Sequence, residues 1–330
     1  MLSHRELIQT IIEGDRPDRP GIALWRHFPV DDQQAETLAA ATIHFQKSYD
    51  FDIVKVTPAS SFAVRDWGVQ DQWMGDTEGT RRYVKYVINQ PGDWERLHPL
   101  DPTSPHLAGQ LACLRLIRRT LGPETPVIQT VFNPLSQAKN LAGNETLMDH
   151  LRKHPDAVLK GLETITQTTL KFIDAVISEG ADGIFYAIQH AQSHLLSLEE
   201  YEDFGTKSDQ ILIQSAGDLK FNMLHLHGTG IHFPLSRSLG IPIVNWHDRE
   251  TPPTLAEGLH EFNGVACGGL RQDTLVYKNP ATIKEEGLEA IAQTLGRRFI
   301  LGTGCVVPII APHGNLLTAR KLVEDISLFH

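Results

Sequence analysis

Two histidines one residue apart, at the end of an apolar run, are the first residues in this chain whose types and spacing suggest chemistry. They stand in the stretch Phe221-Asn-Met-Leu-His-Leu-His-Gly228. On an extended strand His225 and His227 point to the same side, because side chains alternate with a period of two. Two imidazoles on one side of a strand tip are a common start to a metal site. Much later the chain offers Gly302-Thr-Gly-Cys305, a lone cysteine flanked by glycines that would let its backbone approach closely. Two imidazoles and a thiolate suit zinc, with a fourth position left for water or substrate. The same residues could also hydrogen-bond their neighbours or grip a carboxylate, with Cys305 as a small buried residue.

Other polar groups fall at the ends of similar apolar runs. Asn245-Trp-His-Asp-Arg-Glu250 brings His247 and Asp248 together, a pairing suited to general acid–base work, to orienting a ligand, or to further ligation. Strand alternation would send His247 and Arg249 one way and Asp248 and Glu250 the other. Arg26 and His27 follow the first run, and a guanidinium there could clamp a substrate carboxylate. Tyr186, Gln189, His190 and His194 follow the fourth run and are read as pocket wall, while Arg271 stands after the seventh. Six of the sixteen histidines, at positions 27, 190, 194, 225, 227 and 247, lie at such ends. Cys113 and Cys267 read as core positions.

The elements that would position these groups are legible as a rhythm. Eight segments rich in Val, Ile, Leu and Phe recur, at 21–28, 52–59, 127–135, 183–189, 221–228, 242–247, 265–271 and 298–307. Each is apolar through its middle, as strands buried on both faces are. Helical patterns follow most of them: 31–48 after an Asp cap, 105–120, 254–262, 280–295 and 314–328. A further helix spans 155–178, with Leu159, Leu162, Ile165, Leu170, Ile173 and Ile177 on one stripe. Ser197-Leu-Glu-Glu is a capping box that opens a helix to about residue 215. Eight βα units predict an α/β fold, one (β/α)8 TIM barrel over residues 1–330, with its chemistry where the strands end. Elaborated loops are expected after strands 2 and 3: an apparent hairpin at Arg81-Arg-Tyr-Val-Lys-Tyr-Val-Ile, and a pair of helices between residues 144 and 178.

Composition narrows the function classes. A net charge of −10 without any basic run argues against nucleic acid and anionic membranes as partners. No apolar run approaches a membrane span, and three scattered cysteines are not a disulfide framework, so a cytoplasmic protein is expected. A small-molecule substrate is the expected ligand. The oligomeric state is open, a homodimer included.

Nearly end to end, from residue 3 to 328, the sequence resembles the uroporphyrinogen decarboxylase family. The resemblance is carried by Gly14-Asp-Arg-Pro-Asp-Arg-Pro, Tyr49-Asp-Phe-Asp-Ile-Val-Lys-Val, Asp66-Trp-Gly68, Phe132-Asn-Pro-Leu, Gly180-Ala-Asp-Gly-Ile, Leu224-His-Leu-His-Gly and Gly304-Cys-Val-Val-Pro-Ile-Ile-Ala-Pro-His-Gly-Asn-Leu. That superfamily shares one (β/α)8 barrel between tetrapyrrole decarboxylases and cobalamin-dependent methyltransferases. The decarboxylases carry Arg-Gln-Ala-Gly-Arg-Tyr after the first strand, where this chain reads Arg26-His-Phe-Pro. Their aspartate after the second strand is replaced by Pro58 or Ala59. The methyltransferase branch carries His-x-Cys after the fifth strand and Gly-Cys after the eighth, together holding zinc. The matching positions are His225-x-His227 and Gly304-Cys305, with imidazole in place of the middle thiolate. The resemblance therefore implies zinc-dependent methyl transfer with a corrinoid, free or on a partner protein. The alternative is cofactor-free decarboxylation of a tetrapyrrole or other polycarboxylate, with Arg26, Arg249 and Arg271 as its cationic groups.

Overall fold

The computed structural model describes residues 2–325. Among these residues ten strands form: β1 Gly21–Ile22, β2 Val54–Val56, β3 Gln70–Trp73, β4 Arg81–Lys85, β5 Val127–Phe132, β6 Gly183–Ile188, β7 Met223–Leu226, β8 Ile243–Trp246, β9 Val265–Leu270 and β10 Phe299–Thr303. Eight of them make one parallel sheet in the order β1-β10-β9-β8-β7-β6-β5-β2, and β3 and β4 form a separate antiparallel hairpin. Every residue of the eight parallel strands is buried, between side chains that fill the interior and helices packed outside. That double burial is why the segments read as apolar throughout.

The sheet curls into a TIM barrel whose last seam is made largely by one side chain. The Asp52 N–H donates to the Ile22 carbonyl at 2.8 Å, and the Ile22 N–H donates to the Asp52 carboxylate at 2.8 Å. The same carboxylate takes two hydrogen bonds from Arg19 and one from His4, all beneath the barrel.

The helices follow the pattern of turn residues closely. Pro155–Ser178 begins on its proline and buries Leu162, Ile165, Phe172 and Ile173. Leu159 and Ile177, placed on the stripe by spacing, are instead 44% and 36% exposed, because the buried face is narrower than the apolar one. The Ser197 capping box is present, but its helix passes through a π-turn at Glu202–Thr206 before resuming over Lys207–Ser215. Ala35–Tyr49 is preceded by a separate 3-10 turn, Asp31–Gln33, so no aspartate caps it. Strand β5 stops at Phe132 because Asn133 caps a new helix, Pro134–Ala142, accepting from the Ser136 N–H. The expected hairpin lies earlier than read: Arg81–Lys85 is its second strand, and polar Gln70–Trp73 its first. The last helix is His313–Leu322; the final part of the expected span 314–328 lies outside the described residues. No helix among the described residues is long and apolar enough to cross a membrane.

Candidate metal centre

At the mouth of the barrel β7, β8 and β10 deliver four side chains to one point. His225, His227, His247 and Cys305 each offer a ligand atom, and these atoms all lie within 4.8 Å of one another. Cys305 Sγ stands 3.9 Å from His225 Nε2 and 3.8 Å from His227 Nδ1. The approach depends on Gly304. A Cβ there would lie 2.6 Å from the His247 Cα, so only glycine lets the chain pass close enough to present Cys305.

The protonation of two imidazoles can be derived from their partners. The Asn245 amide donates to the carbonyls of Cys267 and Thr303, at 2.8 and 2.9 Å. Carbonyls only accept, so the amide oxygen must face His225 Nδ1, 2.6 Å away, and that nitrogen carries the proton. Nε2 is left with its lone pair toward Cys305. His247 is arranged alike, its Nδ1 3.1 Å from the Glu250 carboxylate and its Nε2 buried with no hydrogen-bond partner. Both are the carboxylate- or carbonyl-anchored imidazoles that metal ligands require.

Electrostatics agree with this. Burial, with His227 and His247 beside it, pushes His225 well below its ordinary pKa, and burial takes His227 down to about 4. Both are neutral bases at physiological pH. Burial pushes the Cys305 thiol up to about 11, so it keeps its proton until a cation arrives. Three imidazole nitrogens and one sulfur are a fitting set of donor atoms for zinc.

The structure sorts the remaining sequence candidates. His27 sits near Lys55 and the Pro58 backbone, and burial lowers its pKa to about 3. His190 is buried beside His227 and Lys139, its Nε2 3.2 Å from Asn144 and its Nδ1 unpartnered. Gln189 carries a buried, unpartnered Oε1.

The other candidates are not at the cluster. Tyr186 alternates with inward-facing Phe185 and points out of the barrel, donating to buried Asp209 at 2.7 Å. Asp248 accepts from the Gly269 N–H at 3.1 Å and is turned away from His247. The chain leaves extended geometry after Trp246, with Glu250 N–H bonded to the His247 carbonyl, so His247 pairs with Glu250 rather than with Asp248. Arg249 is drawn to Glu289 and to backbone carbonyls behind the mouth. Arg271 lies beside Glu286, half exposed. Arg26 packs over Phe28 and Phe45, outside the barrel, in a groove shared with Tyr49 and His313. His194 is exposed on its loop.

Sequence reading missed Asn245, Glu250, Lys55 and Lys139. Two of these gave a visible signal. Lys55 interrupts Ile-Val-Lys-Val in a strand buried on both faces, and Asn245 interrupts Ile-Val-Asn-Trp in another. Lys139 had none, because only Pro134 and Leu135 of its helix were assigned, to the end of a strand, and the rest of it to no element.

Comparison with known proteins gives one consistent result. The profile of the family described as uroporphyrinogen decarboxylase (URO-D) matches residues 26–326. Methylcobamide:CoM methyltransferase MtbA of Methanosarcina acetivorans is 20% identical over 76% of this chain and 72% of its own. Methylcobamide:CoM methyltransferase MtaA of Methanosarcina barkeri is 25% identical over 62% of this chain and 60% of its own. In fold, the chain superposes on a methyltransferase from Methanosarcina mazei with a TM-score of 0.84, covering 99% of this chain and 100% of that one at 15% identity.

Proposed function

Because the chain belongs to the uroporphyrinogen decarboxylase family, we propose that it is the methyl-transferring kind of member, and that it uses zinc and a corrinoid methyl carrier. The observation that carries this reading is the convergence of His225, His227, His247 and Cys305 within 4.8 Å. The names of the relatives support it, since both describe methyl transfer from a methylcobamide to CoM. The arginines that polycarboxylate decarboxylation would need, Arg26, Arg249 and Arg271, all point elsewhere.

In this reading His225, His227 and Cys305 would hold the zinc. Zinc bound there would lower the pKa of a substrate thiol and keep its sulfur nucleophilic toward a methyl group on the corrinoid. Asn245 keeps His225 in the tautomer that presents Nε2. His247, held through Nδ1 by Glu250, would accept at Nε2 the proton that the thiol releases. Phe185, stacked 5.2 Å from His225, and Trp25, edge-on to Phe185, wall off water from below. Compared with a two-cysteine site, the replacement of thiolate by His227 makes the centre less electron-rich.

Metal analysis of the purified protein tests the proposal. About one zinc per chain is expected, together with methylation of a thiol by methylcobalamin. A His227→Ala, Cys305→Ala double variant is expected to lose both. Full metal content and activity in that variant would overturn the reading.

A further inference from the structure

Two lysines at the mouth have no counter-charge. Lys55 lies inside the barrel, 8% exposed, with its Nζ 4.4 Å from the Phe185 ring and 5.8 Å from the Trp25 ring. Among the described residues its Nζ donates only to the Thr57 hydroxyl, at 3.2 Å. Lys139 is partly buried, its Nζ 5.9 Å from the Tyr83 ring. Among the described residues neither forms an ion pair. Burial lowers the pKa of both, Lys55 to about 7. A buried ammonium without an anion is costly, and a bound anion relieves that cost.

Their positions relative to the donor cluster differ. Lys55 acts on Cys305, His225 and His27, whereas Lys139 acts on His227 and His190. Two carboxylates near the cluster, Glu78 and Glu250, also act on Cys305, but neither acts on Lys55 or Lys139. Glu250 is bound to His247, and Glu78 is bound to Gln272 near Asp76 and Glu250. A divalent metal held by neutral imidazoles and one thiolate keeps a single positive charge, which a substrate thiolate cancels. Both lysines are then still uncompensated.

We infer that the small molecule bound at this mouth carries two anionic groups, one received by Lys55 on the Cys305 and His225 side and one by Lys139 on the His227 side. The inference rests on the zinc reading for the position of the sulfur, but the charge requirement comes from the lysines alone. It makes the substrate a dianionic thiol of dicarboxylate type. Lys55 and Lys139 set its specificity.

Calorimetric titration of the zinc-loaded chain with 2-mercaptosuccinate, 3-mercaptopropionate and 2-mercaptoethanol tests this. Affinity should rise about tenfold with each carboxylate added. Lys55→Met and Lys139→Met should each remove one of those steps. Lys139→Arg, which keeps the charge, should retain its step. A flat series, or a dianion preference that survives both substitutions, overturns the inference. Failure of all three thiols to bind a protein that retains no zinc would instead overturn the metal reading. Succinate titrated into the metal-free chain separates the two cases. It should bind the parent and be lost in the Lys55→Met, Lys139→Met double variant, and equal binding to both overturns the lysine assignment.

Discussion

Asn245 illustrates how much of this site depends on a residue that never touches the donor cluster's centre. Its amide hydrogens are fixed on two backbone carbonyls, its oxygen fixes the His225 proton, and the lone pair of Nε2 is thereby committed to the cluster. Asn245→Ala should therefore weaken zinc binding by about 10- to 100-fold, the range for loss of such an orienting partner. It should also destabilise the fold by about 2 kcal/mol, since two carbonyls lose their donor inside the barrel. Competition with a chelating dye and urea unfolding would measure the two effects; an unchanged zinc affinity would show that His225 needs no orientation. The sequence made the donors legible but not their supports. The spacing of His225 and His227 announces a shared side through strand alternation, and the glycines around Cys305 announce close approach. Alternation failed one strand later because β8 ends at Trp246, so His247 turned toward Glu250 and Asp248 toward Gly269. Arg26 was misassigned because β1 ends at Ile22, well before it, and Tyr186 because packing across the barrel decides which face of a strand looks inward.

At the scale of elements, the weakest seam of the barrel is the one between β1 and β2, and it is held by a charged cluster rather than by a ladder. Asp52 bridges to Ile22 and is paired with Arg19 and His4, while His4 also meets Asp50. Hydrogen bonds to Asp50 and Asp52 raise His4 to about pKa 9. A folded-state pKa above the unfolded value of roughly 6.5 means stability that is complete below that pH and is lost as pH rises toward 9. The loss should amount to about 2 kcal/mol after allowance for partial solvent screening. The gap in urea midpoint between the parent and His4→Gln should be widest at pH 6 and close as pH rises toward 10, since every other titrating group is common to both. A gap that does not close would place the titration elsewhere. Asp52→Asn should cost more, about 3–5 kcal/mol, by leaving Arg19 buried without its partner. The eight barrel strands were readable because double burial writes uninterrupted apolar runs. The first strand of the hairpin was not, since Gln70–Trp73 lies outside the barrel and has no apolar face to display. The seam residue was equally hidden, because a single aspartate looks the same in any loop.

On the scale of the whole molecule, three distant stretches of chain meet above the donor cluster: the loop after β1, the tip of the β3–β4 hairpin, and the segment after β10. The Val307 N–H donates to the Trp25 carbonyl at 2.7 Å, and the Ile309 N–H to Thr77 at 2.8 Å. Gln272 joins Glu78 of the tip to the Val306 carbonyl. Gly79 is the point where the tip packs down, with φ +82° and a space so tight that a Cβ would stand 2.6 Å from the His27 Cβ and 3.0 Å from Ile309. Any side chain there must both adopt the left-handed backbone and lift the tip from His27. Gly79→Ala should consequently leave the barrel folded, at a cost of about 1–2 kcal/mol, while opening the mouth. Access can be read without metal or substrate, from the cysteines themselves. Cys113 and Cys267 are fully buried, whereas Cys305 is not, so slow alkylation of the native protein reports on Cys305. Its rate should rise several-fold in Gly79→Ala with the melting temperature only a few degrees lower, about 2–4 °C for a chain of this size. If the rate rises only in proportion to global unfolding, the hairpin tip is no cover for the site and the mouth is already open.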